Sequence, residues 1–130
     1  MNFLISMNIR GLGTLAKFLA LKFFFSTARP KIIFIQEIMH SSRAAIAFFR
    51  RMFPTWFMVA IKANGLSGGL AILWDPIWIK AKTFKCCAGI LISASIRGHV
   101  FMLNFLNVYA PCRNRLPFWE RLFASEILDI

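Results

Sequence analysis

Apolar and polar positions alternate in two distinct rhythms along the first half of the chain. Short apolar runs at 2–8 and 31–36 predict strands, and the second run, rich in β-branched residues, predicts a strand buried on both faces. Between them, apolar residues at Leu15, Phe18, Leu19 and Phe23 recur at helical spacing. A first helix is therefore expected over 15–28, with Thr14 as its N-cap and Pro30 beyond its end, and a second from Ser41 or Ser42 to about Met52.

The second half of the chain consists of short apolar runs that are typical of strands. They predict strands over 55–61, 68–74, 78–84, 87–96 and 99–109, and 78–84 alternates apolar and basic residues, which favours a strand with one wet face. Turn dipeptides separate several of them, and Arg97-Gly98 has the length of a hairpin turn. Segment 114–130 predicts a closing helix with Phe118, Leu122 and Ile127 on one face. The order β-α-β-α followed by antiparallel strands predicts a mixed α/β fold whose sheet continues as a meander.

Composition narrows the class of protein. The 130 residues suffice for one domain or a piece of one, and a hydrophobic fraction of 58% excludes a disordered chain. Lysine and arginine interrupt every apolar run before it reaches the length of a membrane-spanning helix, and the N-terminus lacks the pattern of a secretory signal. Cys86, Cys87 and Cys112 are expected to be buried thiols in a reducing compartment.

The charge balance points to polyanionic partners. Sixteen basic residues stand against five acidic ones, giving a net charge of +11, and no acid precedes Glu37. Nucleic acid is the first candidate partner and an anionic membrane surface the second. A solvated basic surface without a specific partner is the open alternative.

Candidate chemistry lies at the predicted strand ends. If the first two strands are parallel, Asn8 and Glu37 emerge at the same edge, where an amide and a carboxylate oxygen suit Mg²⁺. Arg10 adds a bidentate phosphate donor, and Tyr109 leaves the last strand with a phenol. Each also has a structural alternative: Glu37 in a salt bridge with lysine, Asn8 as a turn former, and Tyr109 as a core residue.

Several motifs occur in a characteristic order. They are Asn8–Gly13, Pro30–Glu37, Ser67-Gly68-Gly69-Leu70-Ala71, Asn107–Pro111 and Phe118-Trp119. Together they resemble the endonuclease/exonuclease/phosphatase superfamily, and within it the N-terminal part of the endonuclease domain of plant LINE-type (non-LTR) retrotransposons.

The resemblance implies a two-sheet α/β sandwich that acts as a Mg²⁺-dependent DNA endonuclease, with Mn²⁺ as a substitute, in a nuclear location. It implies that Glu37 ligates the metal, that Asn8 positions metal and phosphate, and that Tyr109 contacts the scissile phosphate. Arg10 and Asn107 are the expected phosphate or nucleic-acid contacts. The nick made in DNA would prime reverse transcription.

The family's second half is not found in residues 1–130. Its Gly-Asp-Phe-Asn and Ser-Asp-His segments would need an aspartate between Asp75 and Asp129 and a histidine after His99, and the sequence has neither. The expectation is a partial domain that is catalytically incompetent alone and self-associates through an uncovered sheet face. The alternatives are a non-catalytic basic nucleic-acid-binding module and a protein that lies on anionic membranes.

Overall fold

The protein's structure, a computed structural model, describes residues 3–62, 68–85 and 89–108. Within these ranges, two helices and seven strands follow one another in the predicted order. Their bounds are β1 Leu4–Asn8, α1 Leu15–Ala28, β2 Ile32–Gln36, α2 Ser42–Met52, β3 Phe57–Ile61, β4 Leu70–Trp74, β5 Ile79–Lys85, β6 Gly89–Ile96 and β7 Met102–Val108.

The first sheet has the strand order β1-β2-β4-β3. β1 runs parallel to β2, in a register that places Asn8 beside Gln36, whereas β4 is antiparallel to both of its neighbours. β4 is buried along its whole length and β2 over its first four residues, as expected for central strands covered on both faces. The parallel arrangement brings the C-terminal ends of β1 and β2 to one edge.

Both helices cover one face of this sheet. Phe18 and Phe25 of α1 and Phe49 of α2 are buried there with Ile33 and Ile35 of β2. The N-cap of α2 is Ser41, whose hydroxyl accepts a hydrogen bond from the Ala44 amide at 3.1 Å. Thr14 is the N-cap of α1, as predicted, but its side chain makes no capping hydrogen bond.

The buried face of α1 differs from the apolar set predicted for it. Leu15, Leu19 and Phe23 are 64%, 54% and 73% exposed, and of the predicted set Phe18 alone is buried. Because α1 is apolar around most of its circumference, its periodicity does not single out one face. Contact with the sheet and with α2 decides which residues are buried.

The remaining strands form a second sheet, β5-β6-β7, antiparallel throughout. A turn forms at Arg97-Gly98 as predicted, but β7 begins at Met102 and not at residue 99, so the connection between β6 and β7 spans residues 97–101. Lys80 and Lys82 give β5 its predicted wet face. Residues Ile90 and Ile92 pack against Ile32 and Ile72 of the first sheet. The expectation that the antiparallel strands continue the first sheet is confirmed for β3 and β4 and is wrong for β5, β6 and β7. These three strands fold over the free face of the first sheet, which buries the apolar residues that both sheets present.

The observed architecture is a two-sheet α/β sandwich with helices on one outer face. Within the described residues, no helix has the length and apolar character needed to cross a membrane. The predicted closing helix over 114–130 and the three cysteines lie outside the described residues.

Candidate functional site

The ends of β1 and β2 are held together beyond the last ladder pair. The Ile9 amide donates to the Gln36 carbonyl at 3.1 Å, and the Gly11 amide donates to the Glu37 carbonyl at 2.7 Å. Asn8 and Glu37 therefore share one rim of the first sheet. This is where polar groups of different strands converge in α/β folds.

The half-buried Glu37 has left-handed backbone, and hydrogen bonds of the residues that follow it hold this conformation. Its φ is 53°, and the next two residues bond to the opposite side of the rim: the Ile38 amide donates to the Gly69 carbonyl at 3.2 Å and the Met39 amide to the Gly68 carbonyl at 2.6 Å. Gly69 has a φ of +97°, and a Cβ there would lie 3.1 Å from the Ile38 Cβ. The glycine pair thus permits close approach of the two segments.

Left-handed backbone recurs around the rim at residues other than glycine. Arg10, Glu37 and Met39 have φ values of 50°, 53° and 56°. Such conformations are disfavoured for residues with a Cβ and persist where surrounding bonds impose them. At this edge, therefore, tertiary hydrogen bonds rather than the residues' own backbone preferences fix the direction in which the side chains leave the backbone.

Asn8 shapes the turn that follows β1. Its exposed side chain accepts a hydrogen bond from the Arg10 amide through Oδ1 at 3.1 Å, an Asx turn. The turn-forming role and the proposed ligand role are compatible, because an amide oxygen has two lone pairs and this bond uses one. Arg10 itself is exposed on the same loop.

The side chain of Lys17 binds the backbone of the loop between β1 and α1. Its Nζ donates to the carbonyls of Ile9, Arg10 and Gly11 at 2.7, 3.3 and 3.0 Å. This residue was not among those predicted for the site. The sequence did contain one indication: a lysine in the first turn of a helix interacts unfavourably with the helix dipole, so its position suggests a function other than stabilising the helix.

Asn107 lies beneath the rim in β7 of the second sheet. Its side chain is 1% exposed; Nδ2 donates to the carbonyls of Ala71 at 2.9 Å and Ile35 at 3.3 Å, and Oδ1 accepts from Gln36 Nε2 at 2.8 Å. Gln36 Nε2 also donates to the Ser6 hydroxyl at 2.9 Å. Asn107 is thus placed close to the other predicted residues, with its polar atoms bonded inside the fold. Tyr109 lies outside the described residues.

The donor set suits a hydrated divalent ion better than a closed metal site. The described residues hold no cluster of three or more histidine, cysteine, aspartate or glutamate side chains. Mg²⁺ is commonly bound through one or two carboxylates while retaining waters and substrate phosphate oxygens. Glu37 with the Asn8 amide fits that mode, and Arg10 adds a cation for phosphate.

Comparison with known proteins identifies the fold. Neither family models nor curated proteins match the sequence. Among solved structures, TDP2 from D. rerio in complex with a single-strand DNA product is similar over 96% of this chain and 54% of its own, with a TM-score of 0.67 and 15% identity. An AP endonuclease from Archaeoglobus fulgidus is similar over 97% of this chain and 51% of its own, with a TM-score of 0.61 and 20% identity.

Another AP endonuclease, from Leishmania major, covers 92% of this chain at 17% identity with a TM-score of 0.64, and 44% of its own length is matched. These neighbours belong to the endonuclease/exonuclease/phosphatase superfamily, and the two-sheet α/β fold implied by the resemblance is confirmed. The chain spans about half the length of the solved structures that it matches.

Proposed function

We propose that this chain is the N-terminal part of a divalent-metal-dependent phosphodiesterase domain that acts on DNA, and that it is catalytically incompetent alone. The observation that carries the proposal is the parallel pairing of β1 with β2, which sets Asn8 and Glu37 on one rim. It is supported by a fold similar to that of a neighbour bound to DNA.

In this proposal the rim residues bind and orient phosphate. A Mg²⁺ or Mn²⁺ ion, when bound, would polarise a phosphoryl oxygen and offset developing charge. Glu37 would ligate the ion, Asn8 would orient it, and Arg10 would pair with a neighbouring phosphate. The phenol of Tyr109 would contact the scissile phosphate.

The proposed incompetence follows from the lack of a general base beside the rim among the described residues. Activation of water needs a proton acceptor within hydrogen-bond reach of it. Besides Glu37, the acid in the described residues is Asp75, whose amide bonds to the Lys31 carbonyl at the opposite end of β2. The imidazole of His40, three residues after Glu37, uses its acceptor nitrogen Nδ1 for the Ser41 amide at 3.0 Å. The base would have to come from the half of the fold that this chain does not match.

The finer assignments belong to the same proposal. They are an origin in a plant LINE-type retrotransposon endonuclease, a nick that primes reverse transcription and a nuclear location. Self-association through an uncovered sheet face is also proposed, because large apolar side chains at the start of β7 and just before it, such as Val100, Phe101 and Met102, are exposed by 93%, 71% and 56%.

Glu37→Gln is expected to weaken Mn²⁺ binding at least about tenfold, because it replaces the rim's carboxylate by a neutral amide of the same shape. The measurement is titration of the full chain with Mn²⁺, following free Mn²⁺ by electron paramagnetic resonance. Asp75→Asn, the same chemical change at the other end of β2, is the matched control and should leave the affinity within about twofold of that of the unaltered chain. Equal affinities for all three proteins would contradict the metal assignment.

The chain alone is expected to nick supercoiled plasmid in Mg²⁺ or Mn²⁺ no faster than its Glu37→Gln variant. The reason is the missing base, without which a bound ion leaves the attacking water unactivated. The conversion of supercoiled to open-circular DNA on a gel measures it. Robust cleavage that disappears in Glu37→Gln would overturn the proposed incompetence while supporting the nuclease assignment.

A second candidate function, nucleic-acid binding without chemistry, is favoured by a separate surface. At the end of the sandwich opposite the rim, the Trp78 ring is 39% exposed, with Lys31 Nζ 4.6 Å and Arg97 Cζ 5.8 Å from its centroid. A cationic surface that carries an exposed aromatic ring is the combination with which single-stranded nucleic acids are bound, through phosphate contacts and base stacking.

Trp78→Ala and Arg97→Gln are each expected to weaken binding of labelled single-stranded DNA by about five- to tenfold, and Arg97→Gln should reduce the salt slope by roughly 1. Fluorescence anisotropy over a salt series, with and without EDTA, measures both. Arg43→Gln, which changes an arginine on α2, is the control for net charge. Binding that needs a divalent ion, or that falls equally in all three variants, would contradict a metal-independent site at Trp78.

A further inference from the structure

A chain of side-chain hydrogen bonds joins the two sheets directly below the rim. Gln36 Nε2 contacts Asn107 Oδ1 at 2.8 Å and the Ser6 hydroxyl at 2.9 Å, and Asn107 Nδ2 reaches carbonyls of β2 and β4. These hydrogen bonds therefore link β1, β2 and β4 of the first sheet to β7 of the second. Asn107 is buried, Gln36 is half-buried and Ser6 is exposed. At the buried end each polar atom of Asn107 is hydrogen-bonded, which is the condition under which such a network is rigid.

The position of Gln36 connects this network to the candidate site. Gln36 is the last residue of β2, and Glu37 follows it in the left-handed conformation. From Glu37 onward the segment is no longer part of the ladder and is held by loop bonds such as that from the Gly11 amide. Among the described residues, the side-chain hydrogen bond from Gln36 to Asn107 thus connects β2 to the second sheet at the position directly before Glu37.

Asn107 has no hydrogen-bond donor to spare for a phosphate. Its oxygen accepts from Gln36 and its two amide hydrogens go to the Ile35 and Ala71 carbonyls, while the side chain is 1% exposed. Contact with a phosphate would require breaking one of these bonds in a buried place, which costs about 1–3 kcal/mol. The contacts favour an indirect role for this residue.

We propose that Gln36 and Asn107 are positioning residues, which fix the end of β2 against the second sheet and thereby hold Glu37 at the rim beside Asn8. The proposal rests on the proposed function in so far as Glu37 binds a metal ion. It adds to that function the means by which a single carboxylate is held in place for the ion.

Gln36→Met tests this by removing the bridge while keeping an unbranched side chain of similar length. We expect Mn²⁺ affinity to fall about tenfold or more, as for other groups that orient metal ligands. We also expect the Gly11 amide, which bonds to the Glu37 carbonyl, to exchange with solvent on the order of tenfold faster in hydrogen-exchange NMR. The matched control is Ser6→Ala, which removes the other acceptor of Gln36 and leaves the bridge to Asn107 intact.

The outcomes separate the two proposals. If Gln36→Met lowers the urea midpoint but changes neither Mn²⁺ affinity nor Gly11 exchange relative to Ser6→Ala, the bridge is merely structural and the positioning role is wrong. If the unaltered chain shows no Glu37-dependent Mn²⁺ binding, the proposed function fails. Gly11 exchange then decides the positioning role by itself, with faster exchange in Gln36→Met supporting it and unchanged exchange overturning it.

Discussion

Asn107→Leu is expected to destabilise the chain by about 3 kcal/mol, because it leaves two buried carbonyls without their donor and Gln36 without one of its two acceptors. Leucine is close enough to asparagine in shape that the loss is one of hydrogen bonds more than of packing. The effect should appear as a lower midpoint in urea unfolding with an unchanged slope.

The control for this substitution lies on the same strand. Asn104 is exposed on the opposite face of β7, so Asn104→Leu makes the identical chemical change without breaking a buried network. Its effect should stay within about 0.5 kcal/mol. Similar midpoints for the two variants would mean that the hydrogen bonds of Asn107 between the sheets contribute no more to the free energy of unfolding than the exposed side chain of Asn104 does.

Gly89→Val is expected to cost about 3 kcal/mol or more, through a clash within the second sheet. A Cβ at Gly89 would lie 2.4 Å from the backbone carbonyl oxygen of Asn107, and a backbone atom cannot move aside as a flexible side chain does. Valine suits a strand, so propensity does not explain a loss. Separation of β6 from β7 would also shift Asn107 away from Gln36.

Gly98→Asn provides the comparison for Gly89→Val. Gly98 has a φ of +85°, a Cβ added there would have nothing within 4 Å, and asparagine tolerates left-handed backbone. Its free energy of unfolding should change by less than about 1 kcal/mol. A Gly89→Val variant as stable as Gly98→Asn would show that β6 and β7 separate without cost and would contradict the described register.

Much of the candidate site could be predicted from the sequence because its residues lie at the ends of predicted strands. Asn8 ends β1 and Glu37 follows β2, and once parallel pairing is assumed their shared edge follows. The role of Asn107 could not be predicted in the same way. Asparagine at a strand end is compatible with a ligand, a turn or a buried tie, and only the packing of β7 over β2 and β4 selects among them.

The helices show the same division. The bounds of α1 and α2 follow from periodicity and from breakers such as Pro30. The orientation of α1 does not, because an almost uniformly apolar helix has no preferred face until a neighbour covers one. Lys17 was missed for a related reason: its three carbonyl partners belong to a loop whose path exists only in the folded chain.

By itself, the sequence determined the order of helices and strands, the basic character of the chain and the polar residues at the strand ends, since these depend on local patterns of apolar, polar and turn-forming residues. Only the tertiary structure decided that the meander forms a second sheet, that Asn107 bonds to Gln36 across the sandwich and that Leu15, Leu19 and Phe23 are exposed. These features depend on which apolar faces cover one another, and such contacts between distant segments leave no local pattern in the chain.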